Sequence, residues 1–167
     1  MRVLSLNFRE AIFGPESGEV PIFLLTITHP DLDEPVYLTT DATERLGTDP
    51  LTYGTVSRGV TFLYAGIDVT IPDEQDKAPP ASKLTIANVT RDLIPLARSV
   101  SSPPSVQIEA VLVSAPDDVE MNWPALDMSN LTYDASTLQF DLTMDALVTE
   151  PYPSGTFSPA YFPGLFY

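Results

Sequence analysis

The 167-residue sequence contains no cysteine, one histidine, one tryptophan and only two lysines, Lys77 and Lys83. The missing cysteines exclude disulfides, thiolate zinc sites, iron–sulfur clusters and cysteine nucleophiles together. They leave the redox compartment open, because a chain without thiols is indifferent to it. With one imidazole and no thiolate, a transition metal would have to be held almost wholly by carboxylates, which suits such metals poorly. Eight basic residues face 23 acidic ones, for a formal charge of −15. That balance repels nucleic-acid phosphates and anionic lipid, since affinity for both rests on Lys and Arg; it also serves solubility. No stretch approaches the ~20 apolar residues of a membrane span. The opening "MRVLSLNFREAIFGP" meets Arg9 and Glu10 before any long apolar run, so no signal peptide is read there.

Catalytic signatures are equally sparse. His29 precedes Pro30 at the end of a strong apolar run and is expected to be a turn residue bonding locally. No G-x-S-x-G elbow accompanies it, and no Gly-rich phosphate loop occurs. Carboxylates cluster at Asp31, Asp33 and Glu34, at Asp73, Glu74 and Asp76, and at Asp117, Asp118 and Glu120. These could in principle hold calcium, but none has EF-hand spacing and all lie in Pro-flanked stretches, so solvated loops are expected. Trp123, between Asn122 and Pro124, is expected to be buried. The reading is of a non-enzyme with no cofactor.

Seventeen prolines are roughly twice the usual share of about 5%. They fall between runs of β-branched and aromatic residues, as in a many-stranded protein with frequent reversals. "EVPIFLLTITHP" puts Ile22, Leu24 and Thr26 on one side of a strand and Phe23, Leu25 and Ile27 on the other, so both faces should be covered. "PVYLTT" reads as its short partner. Val60 to Ile71 reads as one strand bent at Gly66. "SKLTIANV" and "SVQIEAVLVSAP" alternate, the latter with Val106, Ile108, Ala110 and Leu112 on one face. "NLTYDASTLQFDLTMDAL" reads as a hairpin turning at Asp134-Ala135-Ser136. Its second strand has Leu138, Phe140, Leu142 and Met144 inward, with Gln139, Asp141, Thr143 and Asp145 outward.

Helix is scarce. "LSLNFREAIF" offers about two turns, with Ser5 as cap and Leu6, Phe13 and the apolar residues flanking Arg9 in the packing stripe. "TRDLIPLARSV" offers a short mid-chain helix with Leu93, Leu96, Ala97 and Val100 on one side. The stretches "PDEQDKAPPAS" and Asp117 to Asp127 read as the least structured. The chain is most simply one domain, residues 1–167, closing on an aromatic arm over 151–167. The arm ends in "SPAYFPGLFY", with no charge and with Pro159 and Pro163 opposing strand pairing.

Together, "APPASKLTIANVTRDLIPLARSV", "EAVLVSAPDDVE" and "FSPAYFPGLF" resemble a family of small tail-tip, or minor tail, proteins of long-tailed phages, prophages and gene transfer agents. The resemblance runs from "EVPIFLLTITHP" onward and contains no catalytic motif. It implies a mainly β, tail-tube-like sandwich or half-barrel with one short mid-chain helix and a possible N-terminal one. It further implies a structural virion protein, made in the bacterial host cytoplasm, that adapts the tail tube to the hub or baseplate. The expected partners are copies of itself in a hexameric or trimeric ring, the tail tube or distal tail protein, and the tail hub. DNA would pass without adhering, and no membrane insertion is expected. Gln139, Asp141, Thr143 and Asp145 are candidates for a lumen-facing wall, or else form an ordinary solvated strand face. Tyr161, Phe162, Pro163, Leu165 and Phe166 are candidate assembly contacts, which dock on their own domain or on a neighbour. The rival reading is a receptor- or carbohydrate-binding β-sandwich of the virion.

Overall fold

A side-chain cap starts the first element. In the computed structural model, which describes residues 4–70, 82–87, 100, 102–134, 136–143 and 164, Ser5 Oγ accepts from the Phe8 N–H at 3.1 Å. This opens helix α1 (Leu6–Phe13), and Gly14 N–H closes it on Glu10 O at 2.8 Å. The buried side matches the expectation only at Phe8, which flanks Arg9. Leu6 and Phe13 are 80% and 79% exposed, whereas Phe8 is buried with Leu4 and Ala11 beside it. Positions 4, 8 and 11 form a stripe about half a turn from positions 6 and 13, so both sets cannot face the core.

Ten strands follow among the described residues: β1 (Pro21–Thr28), β2 (Val36–Thr39), β3 (Glu44–Thr48), β4 (Leu51–Ser57), β5 (Val60–Tyr64), β6 (Ile67–Thr70), β7 (Ser82–Ala87), β8 (Ser105–Leu112), β9 (Met121–Tyr133) and β10 (Thr137–Thr143). They form one sheet in the order β3-β4-β5-β2-β1-β8-β9-β10-β7-β6, with only the β2–β5 pair parallel. The protein is therefore mainly β, as its sequence implies.

The expected single strand from Val60 to Ile71 is two strands. β5 and β6 are separated only by Ala65-Gly66, yet six strands stand between them in the sheet. The sheet must curl to bring them together. Ala65 N–H bonds Thr39 O at 3.0 Å and Ala87 N–H bonds Gly66 O at 2.7 Å, so this corner ties both arms. β2 and β6 do not pair, and the curl stays open rather than closing into a barrel.

Alternation fills the concave side. Leu84 and Ile86 of β7, Val106, Ile108 and Ala110 of β8, Trp123 and Met128 of β9, and Leu138, Phe140 and Leu142 of β10 form the main core, with Phe8 of α1 among them. Trp123 is buried as expected, its ring 6.4 Å from that of Phe23. Its strand begins at Met121, inside a stretch expected to be irregular. Pro124 is accommodated because β9 carries an extra residue there: Val106 and Ile108 pair with Leu126 and Trp123.

Strand β1 is covered on both faces, as its two apolar sides require. Phe23, Leu25 and Ile27 join the main core, while Ile22 and Leu24 pack with Phe62 and Val111 in a second cluster. Phe62 belongs to the β4–β5 hairpin, which folds back as a flap over the outer face of β1 and β8. The sequence reading did not separate out β3 and β4. The expected mid-chain helix over 90–100 lies outside the described residues except for Val100. The loop over 72–82 does so too, except for Ser82.

Candidate functional site

The outer face of β6, β7, β10 and β9 is a continuous polar wall. Register places Asp68, Thr85, Gln139 and Thr132 in one row, and Thr70, Lys83, Asp141 and Ser129 in the next. A further row joins Thr143, Asp127, Ser105 and Thr28. Gln139 and Thr143 are exposed and Asp141 half-buried, with Leu138, Phe140 and Leu142 pointing to the core between them. The strand therefore divides as its alternation predicts. Asp145 lies outside the described residues. Asp68 and Asp127 share this wall and were missed, because cross-strand neighbours are set by register rather than by sequence distance. Three aspartates and one lysine give the wall its negative balance. Asp141 is oriented by Asn130, whose Nδ2 donates to Oδ2 at 2.9 Å.

Further along the same outer face, the flap meets β8 through a polar clamp. The turn at Arg58-Gly59 has φ of 49° and 79°, which lets the hairpin reverse tightly. Arg58 N–H donates to Asp117 Oδ1 at 2.5 Å, and Ser57 Oγ donates to Pro116 O at 2.7 Å. The Arg58 guanidinium bonds both carboxylate oxygens of Glu109, which is buried on β8. Its side-chain hydrogen bond to Glu109 raises the Arg58 pKa above its ordinary value, against a smaller opposing effect of burial. Beside the clamp, a cleft of about 340 Å³ opens between the flap and the row formed by Tyr37, Thr26 and Gln107.

A third feature lies inside the curl. A cavity of about 490 Å³ is lined by Ile27, Val36 and Leu38 from β1 and β2, and by Ile86, Leu138 and Phe140 from β7 and β10. Its lining is mostly apolar, with Ser129 and Asn130 at one side.

His29 behaves as a turn residue. Its Nδ1 accepts from Asp31 N–H at 2.9 Å, which leaves Nε2 to carry the proton of the neutral ring and donate to Ser102 Oγ at 2.7 Å. Two of the clustered carboxylates have structural uses: Asp117 holds the flap turn, and Glu120 Oε2 accepts from Ser5 N–H at 2.9 Å. Among the described residues, no group of three or more histidines and carboxylates converges as a metal site would require. No described helix is long and apolar enough to cross a membrane. The candidate contacts Tyr161, Phe162, Pro163, Leu165 and Phe166 lie outside the described residues.

A family model described as a domain of unknown function, DUF1833, matches residues 7–157. A comparison with curated proteins finds no match.

Proposed function

Since the chain belongs to the DUF1833 family, whose description assigns no activity, we propose from its own chemistry that it is a structural protein of a phage-like tail tip. In this reading it works as a ring-forming adaptor between tail tube and hub, around a passage for DNA, and acts by assembly rather than catalysis. It is made in the bacterial cytoplasm and resides in the virion.

The observation that carries the reading is the polar wall across β6, β7, β10 and β9. Its Thr, Ser and Gln side chains are neutral, and its aspartates outnumber its single lysine. A wall of Lys and Arg would gather phosphates by releasing their counterions, and many such contacts would stall a moving duplex. An acidic and hydroxylated wall lets it pass. The two different edges of the sheet support a ring. Among the described residues, β3 ends the sheet on one side and β6 on the other. Contact between unlike edges of neighbouring copies is head-to-tail, and such contacts close by rotation. Three-fold and six-fold closure both satisfy this requirement. The aromatic arm over 151–167 supplies further anchors, to copies of the chain, the tube or distal tail protein, or the hub.

The test is a virion carrying Asp68→Lys, Asp127→Lys and Asp141→Lys together. Particles are expected to assemble, since these side chains project outward from the core, while DNA delivery falls at least tenfold. Delivery at the native level by fully assembled particles would overturn the reading.

A further inference from the structure

We infer that the cleft beneath the β4–β5 flap is a binding site for a neutral saccharide ring. The inference is independent of the ring-adaptor reading, because it needs neither the wall's aspartates nor a second copy, only one monomer's residues beneath the flap.

The first argument is placement. The same outer face that buries Ile22, Leu24 and Val111 under the flap changes character where the cleft opens. There it presents Thr26 paired with Gln107 on one side and Tyr37 on the other. The cleft is shallow and open to solvent, and its volume of about 340 Å³ lies within the range of small-molecule sites.

The second is charge. Arg58 and Glu109 both line the cleft, and each neutralises the other. A phosphate would have to compete with Glu109 for the guanidinium, and an ammonium would have to compete with Arg58 for the carboxylate. A ligand of no net charge meets neither obstacle.

The third is hydrogen-bonding capacity. Arg58 has five N–H donors. Nε donates to Ser57 Oγ at 3.3 Å, and one N–H from each terminal nitrogen goes to Glu109. Two remain for a ligand. Gln107 Nε2 donates to Glu109 Oε1 at 3.1 Å and to Asn122 Oδ1 at 3.4 Å, which fixes the amide and leaves its carbonyl oxygen as an acceptor. The Thr26 hydroxyl can do either. Donors and acceptors are thus interleaved, and hydroxyl groups match such a set because each donates and accepts.

The fourth is the aromatic wall. Tyr37 stands edge-on to Phe62, with ring centroids 5.3 Å apart and planes at 72°. Tyr37 is half-buried at the cleft and gives the apolar C–H face of a pyranose a surface to lie on, with the buried Phe62 ring holding it from behind. The flap's bonds to Pro116 and Asp117 hold these groups in place before a ligand arrives.

The experiment is a titration of the isotopically labelled chain with glucose, galactose and N-acetylglucosamine, each to about 50 mM, read by amide chemical shifts. At least one sugar is expected to give saturable shifts confined to residues around Thr26, Tyr37, Arg58 to Val60, and Gln107 to Glu109. Thr26→Val and Gln107→Leu, which preserve shape and remove hydrogen-bonding groups, should each weaken that binding about tenfold. The spectrum of each variant reports its fold, and if one fails to fold the other decides. No saturable shift with any of the three sugars, shifts centred elsewhere, or binding indifferent to a folded variant would overturn the inference.

Discussion

Arg58 Nη1 lies 3.3 Å from Glu109 Oε1, and the second terminal nitrogen bonds Glu109 Oε2, so one guanidinium spans both oxygens of a carboxylate 51 residues away. The Glu109 side chain is 9% exposed and that of Arg58 44%. The pair is therefore buried on one side and wet on the other. Exposed pairs contribute up to about 1 kcal/mol, while breaking a fully buried pair costs about 3–5 kcal/mol. Arg58→Met should fall between these limits, at about 2 kcal/mol, because it strands a buried carboxylate while solvent screens part of the loss. Adding Glu109→Met should recover most of it. Urea unfolding midpoints of the single and double variants check both expectations.

The helix gives a sharper contrast. Phe8 is 2% exposed inside the main core, and Phe13 on the same helix is 79% exposed. Phe8→Ala should cost about 3–5 kcal/mol through lost burial and the cavity left behind. Phe13→Ala should change stability by less than about 0.5 kcal/mol. Thermal melts of the two variants, made side by side, measure the difference.

That contrast also marks what a sequence can reveal. β8 and β10 were legible because alternation against a one-sided core is a local property: Val106, Ile108 and Ala110, and likewise Leu138, Phe140 and Leu142, all point inward. The sidedness of α1 was not. Leu6 and Phe13 are as apolar as Leu4 and Phe8, and only the sheet beneath decides which pair is covered. β5 and β6 read as one strand because Val60 to Ile71 is continuous in pattern, while membership of two distant sheet positions is decided by curl. β4 was obscured by Gly54, a buried position where an added Cβ would meet the Phe62 carbonyl and Leu46 Cδ1. The wall was half legible: Gln139, Asp141 and Thr143 follow from alternation, whereas Asp68 and Asp127 join them only through register.

The β9–β10 turn carries a pH prediction. Asp134 accepts from the Ser136 N–H at 2.7 Å, the Ser136 hydroxyl at 2.9 Å and the Thr137 N–H at 2.8 Å. These bonds, the Ser136 backbone bond first, favour the carboxylate and lower its pKa to about 2. A depressed folded-state value means the contribution is complete above the unfolded pKa of about 4 and lost as pH falls through about 2. Side-chain carbonyl shifts should titrate with that low midpoint. Asp134→Ala should be less stable than the native chain at pH 6 and converge with it near pH 2, as judged by denaturant unfolding at the two values.

Asn130 ties backbone geometry to the wall. It has φ of 52°, in the left-handed region, where β9 carries one residue more than β10: Gln139 pairs with Thr132, but Asp141 pairs with Ser129. Asparagine tolerates this conformation and a β-branched residue does not. Asn130→Val should therefore cost about 1–3 kcal/mol, although the position is exposed and a valine suits an ordinary strand. Asn130→Gly keeps the conformation and should stay within about 0.5 kcal/mol of the native chain. It also removes the amide that holds Asp141, so the Asp141 side chain should occupy several rotamers where the native chain has one. Unfolding midpoints separate the two variants, and side-chain scalar couplings at Asp141 test the second effect. Equal destabilisation by valine and glycine would mean that the amide-to-carboxylate bond, and not the backbone bulge, is what position 130 contributes.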